Sequence, residues 1–338
     1  MARFIALTPG DPAGIGPEIT WKAIRSGIEA KFGIRLLCIG ARKPFEKMGV
    51  PLDLVDASEL TRPGFRKRLT DRRKTVLLLS APESAEVPGV PHLEGFQSGW
   101  AIQEAVRLTQ AGVTRAIVTG PISKERFQAG GFPFPGHTEF LAHLCRKGRK
   151  TPKVVMMLAN EQLRVALVTT HLSLAEVPPT LTRRALEETI AITADHLRRW
   201  WGIRRPKIAV LALNPHAGES GIFGTEEQRI ISPVLKKLCA SATQTMVLSG
   251  PHPADTFFAK HIALSRKDRS DAVVCMYHDQ GLIPVKLLDF AGSVNITLGL
   301  PIIRTSVDHG VGFDIAGKGL ADPSSMLAAI RLAARLSS

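Results

Sequence analysis

One tyrosine in 338 residues argues against an aromatic-rich binding surface. No run of about 18 apolar residues occurs, so no membrane-spanning helix and no membrane partner is expected. The four cysteines, Cys38, Cys145, Cys239 and Cys275, form no C-x-x-C pair. A disulfide framework is therefore not indicated, and buried reduced thiols are expected. No repeat and no low-complexity linker divides the chain. No secretory leader is expected, because MARFIALTPGDPAG reaches Gly and Pro after a short apolar start, so a cytoplasmic location is the simplest expectation.

Acidic side chains are also scarce relative to basic ones, 30 against 44, leaving a formal charge of +14. Such a balance favours anionic partners: nucleic acid, anionic lipid, or phosphorylated and carboxylated metabolites. The excess sits in short, scattered clusters, RPGFRKRLTDRRK (62–74), RKGRK (146–150) and RRWWGIRRPK (198–207). No nucleic-acid motif accompanies them, so they read as solvated surface and no nucleic-acid partner is expected.

What remains is an alternation. Apolar runs at 3–8, 34–40, 75–80, 115–120, 153–159, 163–170, 207–213, 271–277 and 294–300 read as strands. Helical patterns at 16–26, 98–112, 138–147, 179–200, 225–240 and 322–338 alternate with them. Strands apolar on both faces and separated by helices predict an α/β fold with mostly parallel sheets. Thr225 with Glu226 and Glu227, and Asp322 with Pro323, read as helix starts. The least regular stretch, 81–97, reads as a surface loop or a lid.

Three histidines follow three of these strands: His171 in VTTHLSL, His216 in LNPHAGE and His278 in MYHDQG. Parallel strands deliver their ends to one sheet edge, so the three can converge. Three imidazoles with an open position make a common divalent-cation site. Glu219 and Asp279 are candidates to orient the rings. The spacing is long-range and far less specific than H-E-x-x-H. The opening TPGDPAGIGPEI (8–19) joins a strand to a helix, but lacks both G-x-G-x-x-G and a Walker lysine. It reads either as a tight turn or as an anion-facing helix start. His137 and Thr138 in PGHTEF also sit at a helix start, suited to phosphate or carboxylate or to an ordinary cap. Arg304 and Lys286 together could clamp a phosphate, although a lone Arg after a strand is more often a surface ion pair. DHGVGFDIAGKGLADP (308–323) is glycine-rich, and backbone can approach a ligand closely there.

Eight ordered stretches, TPGDPAGIGPE, TGPISK, GHTEFLA, TTHLSL, LNPHAGESGIFGTEE, GPHPADTFF, MYHDQGLIPVK and VNITLGLPIIRTSVDHG, resemble the 4-hydroxythreonine-4-phosphate dehydrogenase family of pyridoxine biosynthesis, from about residue 3 to 335. The resemblance implies a two-domain α/β/α fold, like isocitrate and isopropylmalate dehydrogenases and not a Rossmann domain. It implies one domain from 1–134 plus 302–338 on the cofactor side, and a second from 135–301 with metal, substrate and dimer contacts. The active site would lie in the cleft between them. A homodimer is implied, with the metal site shared across its interface. His171, His216 and His278 match metal ligands; His137, Thr138, Lys286, Asn295 and Arg304 match substrate-binding positions. Lys286 and His137 are the catalytic candidates, and Asp255 and Asp279 are candidates to orient ligands. His309, Gly310 and Asp322 would lie near the adenosine half of NAD or NADP, by analogy with HGSAPDIAGKGIANP. Val311, Gly312 and Phe313 depart from that pattern.

The implied activity is NAD-dependent, metal-dependent oxidation of 4-phosphooxy-threonine, followed by decarboxylation of the 3-oxo acid. Zinc, cobalt or nickel suits three histidines, and magnesium suits them less well. Sister families oxidise threonate or erythronate 4-phosphate, or aromatic cis-dihydrodiol carboxylates. Lys286, Asn295 and Arg304 favour a phosphorylated substrate. A metal-dependent hydrolase could use the same histidines but would need no cofactor loop.

Overall fold

The computed structural model describes residues 3–60, 75–84, 86, 89–240 and 245–338. The basic cluster at 62–74 lies outside them, as does part of the 81–97 stretch. Of that stretch, Leu93 onward is not loop: it begins the helix Leu93–Gln110, started by His92, whose Nδ1 accepts from Gly95 N.

Twelve strands are described: β1 (Arg3–Thr8), β2 (Ile34–Gly40), β3 (Leu52–Leu54), β4 (Val76–Ser80), β5 (Ala116–Thr119), β6 (Val155–Ala159), β7 (Arg164–Leu167), β8 (Lys207–Leu211), β9 (Val247–His252), β10 (Ala272–Cys275), β11 (Val294–Leu298) and β12 (Ile303–Ser306). The chain divides into two compact units, 1–153 with 300–338, and 154–299. The boundary thus falls at 153/154 rather than 134/135. The helix His137–Leu144 belongs to the first unit because Phe140, 2% exposed, packs edge-on against Phe127 and Phe132.

In the first unit the strands run β3-β4-β2-β1-β5-β12, all parallel. Their uninterrupted apolar runs are what a sheet covered on both faces requires. The order differs from the dinucleotide-binding 3-2-1-4-5-6 arrangement. The chain leaves β1 toward β2 on one side and later fills β5 on the other. That reversal makes a switch point at the carboxyl ends of β1 and β5, where α/β sheets bind ligands. Thr8 of β1 and Ser306 of β12 both align with Thr119 of β5, so three strands end level there.

In the second unit the order is β11-β6-β7-β10-β8-β9. β6 is antiparallel to both neighbours, whereas β7, β10, β8 and β9 are parallel. The helix His278–Leu288 buries Leu282 and Val285 in a core with Val165, Leu167, Val273 and Cys275. Gly281 permits that approach: a Cβ there would lie 3.0 Å from Cys275 Sγ. Cys38, Cys145 and Cys275 are buried, as expected; Cys239 is exposed at the end of the helix Ser232–Cys239.

Candidate active site

The parallel β7, β10 and β8 carry the three histidines off one edge. Backbone pairing continues past β7 and β10: Val168 N donates to Cys275 O, and Thr169 N and Oγ1 both donate to Met276 O. This brings His171 beside His278, ring centroids 5.5 Å apart. Gln280 ties the next strand in. Its buried amide accepts from Met276 N at 2.7 Å and donates to Ala212 O at 2.7 Å, bridging the ends of β10 and β8. The polar run HDQ thus divides its labour, with Gln280 holding strands and His278 facing outward.

His278 Nδ1 lies 2.7 Å from Asp279 Oδ1. A carboxylate on Nδ1 orients the ring and leaves Nε2 as the ligating atom. Two imidazoles at this spacing fit a divalent cation that takes further ligands from elsewhere. Among the described residues no group of three His, Cys, Asp or Glu stands in metal-holding geometry. The His216 ring neighbours Phe223, centroids 6.0 Å apart. Asp255 is exposed in the first turn of the helix Ala254–Ala263.

His216 opens an unusual segment. His216, Ala217, Gly218, Glu219 and Ser220 all have positive φ, from 38° to 79°. Left-handed backbone costs an L-residue about 1–2 kcal/mol, so surrounding contacts must hold this turn. Glu226 and Glu227, which stand at the start of the helical segment as read, also supply them. Glu227 accepts from Leu213 N, Asn214 N and Asn214 Nδ2, and Glu226 accepts from Asn214 Nδ2. Neither this role nor that of Gln280 was visible in the sequence.

Lys286 is half-buried, with Nζ 5.5 Å from the Phe290 ring centroid. Asn295 lies on β11 opposite Leu158; its Oδ1 is shut off from solvent with no hydrogen-bond partner among the described residues.

In the first unit, Arg304 is 3% exposed on β12. Its Nε and Nη2 donate to Thr119 Oγ1 at 3.1 and 2.7 Å. Burial pulls its pKa down to about 9, which still leaves it protonated at neutral pH. It is therefore no surface ion pair but a cation fixed inside the sheet. His137 and Thr138 begin the helix His137–Leu144, where Gly136 gives no side-chain cap. Burial, and then the charge of Arg304, hold His137 well below the usual histidine range. Its Nε2 is buried without a partner among the described residues. A neutral imidazole, an uncapped helix start and a fixed guanidinium together suit an anion.

The 308–322 loop is anchored to the first helix, Gly16–Arg25. Glu18 accepts from Ala321 N and Gly319 N, and Val311 O accepts from Ile15 N. Phe313, one of the departures, lies under Arg126, whose guanidinium is 4.3 Å from the ring centroid. Arg126 also reaches the buried Asp11 at 3.5 Å. His309 Nδ1 contacts Gly310 O at 2.9 Å, and its Nε2 is buried without a partner among the described residues. Asp322 accepts from Ser324 N and Oγ, starting the helix Ser324–Leu336; these bonds lower its pKa. A cavity of about 600 Å³ is lined by Pro12–Gly14 on one side and Ala316 and Gly317 on another. It is roomy enough for the adenosine half of a dinucleotide.

The fold and its sites define a two-unit α/β protein with a histidine-bearing strand edge in one unit and a buried, hydrogen-bonded arginine in the other. The narrower assignment comes from likeness to known proteins. The profile of the PdxA family, pyridoxal phosphate biosynthetic protein, matches residues 46–333. A protein of Bradyrhizobium diazoefficiens provisionally named D-threonate 4-phosphate dehydrogenase is 46% identical over 99% of this chain and 97% of its own. The 4-hydroxythreonine-4-phosphate dehydrogenase of Paracoccus denitrificans is 45% identical over 98% and 97%. A crystal structure of 4-hydroxythreonine-4-phosphate dehydrogenase from Klebsiella pneumoniae superposes with a TM-score of 0.84 at 37% identity, covering 100% of this chain and 98% of that one. The chain belongs to the PdxA family of dehydrogenases. No described helix is long and apolar enough to cross a membrane.

Proposed function

We propose that this chain oxidises 4-phosphooxy-L-threonine to 2-amino-3-oxo-4-phosphooxybutanoate, which loses carbon dioxide to give 3-amino-2-oxopropyl phosphate, with NAD or NADP as acceptor and a divalent cation (zinc, cobalt or magnesium). The observation that carries this reading is near-full-length likeness to relatives of that name, 45% identical in Paracoccus denitrificans. His171 and His278 would hold the cation, with His216 completing the set, one ligand crossing a homodimer. The 308–322 loop, including His309, Gly310 and Asp322, would hold the cofactor. When bound, the cation would supply Lewis acidity toward the hydroxyl being oxidised, and the nicotinamide a hydride acceptor.

The chain's own residues do the rest. Arg304, the His137–Thr138 helix start and Asn295 bind and orient the anionic substrate, so the reacting carbon is held rather than found by diffusion. His137 stays neutral and can share a hydrogen bond at either nitrogen. Lys286 carries the proton released from the hydroxyl and returns one to carbon after decarboxylation.

A second reading has a specific support: the 46% identical Bradyrhizobium relative is named for D-threonate 4-phosphate. Oxidation of D-threonate or D-erythronate 4-phosphate would use the same residues. The test offers NAD with each of the three phosphates, with and without chelator. NADH from 4-phosphooxy-threonine, lost on chelation, is the expected result. Turnover of the sugar acids alone moves the chain to the second reading; none from any phosphate with cation present refutes both.

A further inference from the structure

We infer that Glu227 is a positioning residue for His216: its buried carboxylate holds the left-handed turn that presents that imidazole, and thereby governs cation affinity. The inference rests on the reading of His216 as a ligand.

A run of five positive-φ residues, four of them not glycine, does not persist by its own preferences. The start of the turn is fixed from outside. Glu227 Oε1 accepts from Leu213 N at 2.8 Å and Asn214 N at 2.9 Å, the residues immediately before Pro215 and His216. Oε2 accepts from Asn214 Nδ2 at 2.9 Å, and the same amide donates to Glu226 at 2.7 Å. The end of the turn closes on itself, with Phe223 N donating to Gly218 O and Ile222 N to Glu219 O. Two glycines admit the carboxylate and the amide. A Cβ on Gly218 would lie 2.7 Å from Glu227 Oε2, and one on Gly224 would lie 2.4 Å from Asn214 Nδ2.

The choice of carboxylate is chemically specific. Three donors converge on one side chain, and only an ionised carboxyl accepts at both oxygens without presenting a donor of its own. A glutamine would set its NH₂ against the Asn214 amide. Glu227 is 3% exposed, a costly place for a charge unless its hydrogen bonds serve a purpose. It is delivered by a π-helical turn, Glu227–Ile231, a rare element found most often beside functional sites. Two uncommon backbone conformations thus face each other through one side chain.

Without that contact the turn samples right-handed conformations, and the apparent cation affinity falls with the fraction that remains competent. The test uses the full-length chain, with Zn²⁺ and Co²⁺ titrated calorimetrically and hydrogen exchange followed at 214–224 in the cation-free protein. Glu227→Gln should weaken cation binding by about 10–100-fold and speed exchange in that segment. At saturating cation its kcat should stay near the parent value, because the bound ion itself restores the turn. His216→Ala should weaken binding further. If Glu227→Gln binds cation and exchanges like the parent while His216→Ala loses the ion, Glu227 has no positioning role. If His216→Ala binds like the parent, the ligand reading fails and takes this inference with it. Should Glu227→Gln not fold, Asn214→Ala, which removes the amide alone, is read against the same outcomes.

Discussion

Arg304 in the first unit and the histidines in the second are built on opposite plans. Arg304 stands within a strand, 3% exposed, its guanidinium bonded to a threonine of the adjacent strand. The histidines stand beyond strand ends, partly or fully exposed, with Asp279 against the His278 ring and Glu227 bonded to the backbone just before His216. On the proposed function, the difference follows from what each group would bind. Recognising a fixed negative charge rewards a cation that cannot move, since every hydrogen bond it will make is oriented beforehand. Ligating a cation demands a set of nitrogens whose geometry is completed only when the ion arrives, so carboxylates one step removed adjust it. The first plan stores its precision in the sheet; the second stores it in hydrogen bonds that a single substitution can undo.

The largest expected effect breaks the second plan outright. His278→Ala should reduce kcat/KM by about three orders of magnitude or more, the scale of several kcal/mol of Lewis-acid stabilisation. Its thermal midpoint should barely move, because the ring is partly exposed at a helix start; full retained activity would refute its role as a ligand. Arg304→Lys probes the first plan. A lysine cannot reproduce the fork, so a charge-assisted hydrogen bond worth about 1.5–3 kcal/mol is lost. That predicts a KM for substrate raised about ten- to a hundredfold with kcat little changed, measurable by steady-state kinetics. An unchanged KM would mean that Arg304 serves the strand pair only. Asp279→Asn is milder than either. It leaves a hydrogen bond to His278 but removes the charge, and cation affinity should fall about tenfold, read by chelator competition.

Much of the fold was legible because its strands are apolar on both faces. β1, β2, β4, β8 and β10 lie where unbroken Val, Ile and Leu runs put them. β9 was not legible: VLSGPH contains Gly and Pro and is largely exposed, so neither composition nor periodicity marks it. β12 was hidden because Arg304 interrupts a four-residue strand. The helix Ala254–Ala263 went unread because its start, PHPADTFF, looks like loop. At the site, the histidine edge could be seen because each ring follows an apolar run. The parts that steady those rings could not. Glu227 reads as an ordinary first-turn acid until the chain is folded, and its relation to Asn214, 13 residues earlier, exists only through a left-handed turn that no local preference encodes. Gln280 likewise acts on Ala212, 68 positions away.

The smallest expected effect sharpens the comparison through protons. His137 is held well below the usual histidine range by burial and by Arg304, so the folded chain resists protonating it. The unfolded chain takes up that proton near pH 6.5. Between that value and the lower folded one, the unfolded state binds more protons, so stability falls as pH falls, with a slope approaching about 1.4 kcal/mol per pH unit from this group. His252 and His261 in the second unit are shifted the same way by burial and add to the trend. Urea unfolding at a series of pH values from 7.5 downward measures the slope. His137→Asn should flatten it by the share of one proton. A slope unchanged by His137→Asn would mean that the imidazole titrates as it does in water, and that the helix start it stands on opens more freely than its buried Nε2 implies.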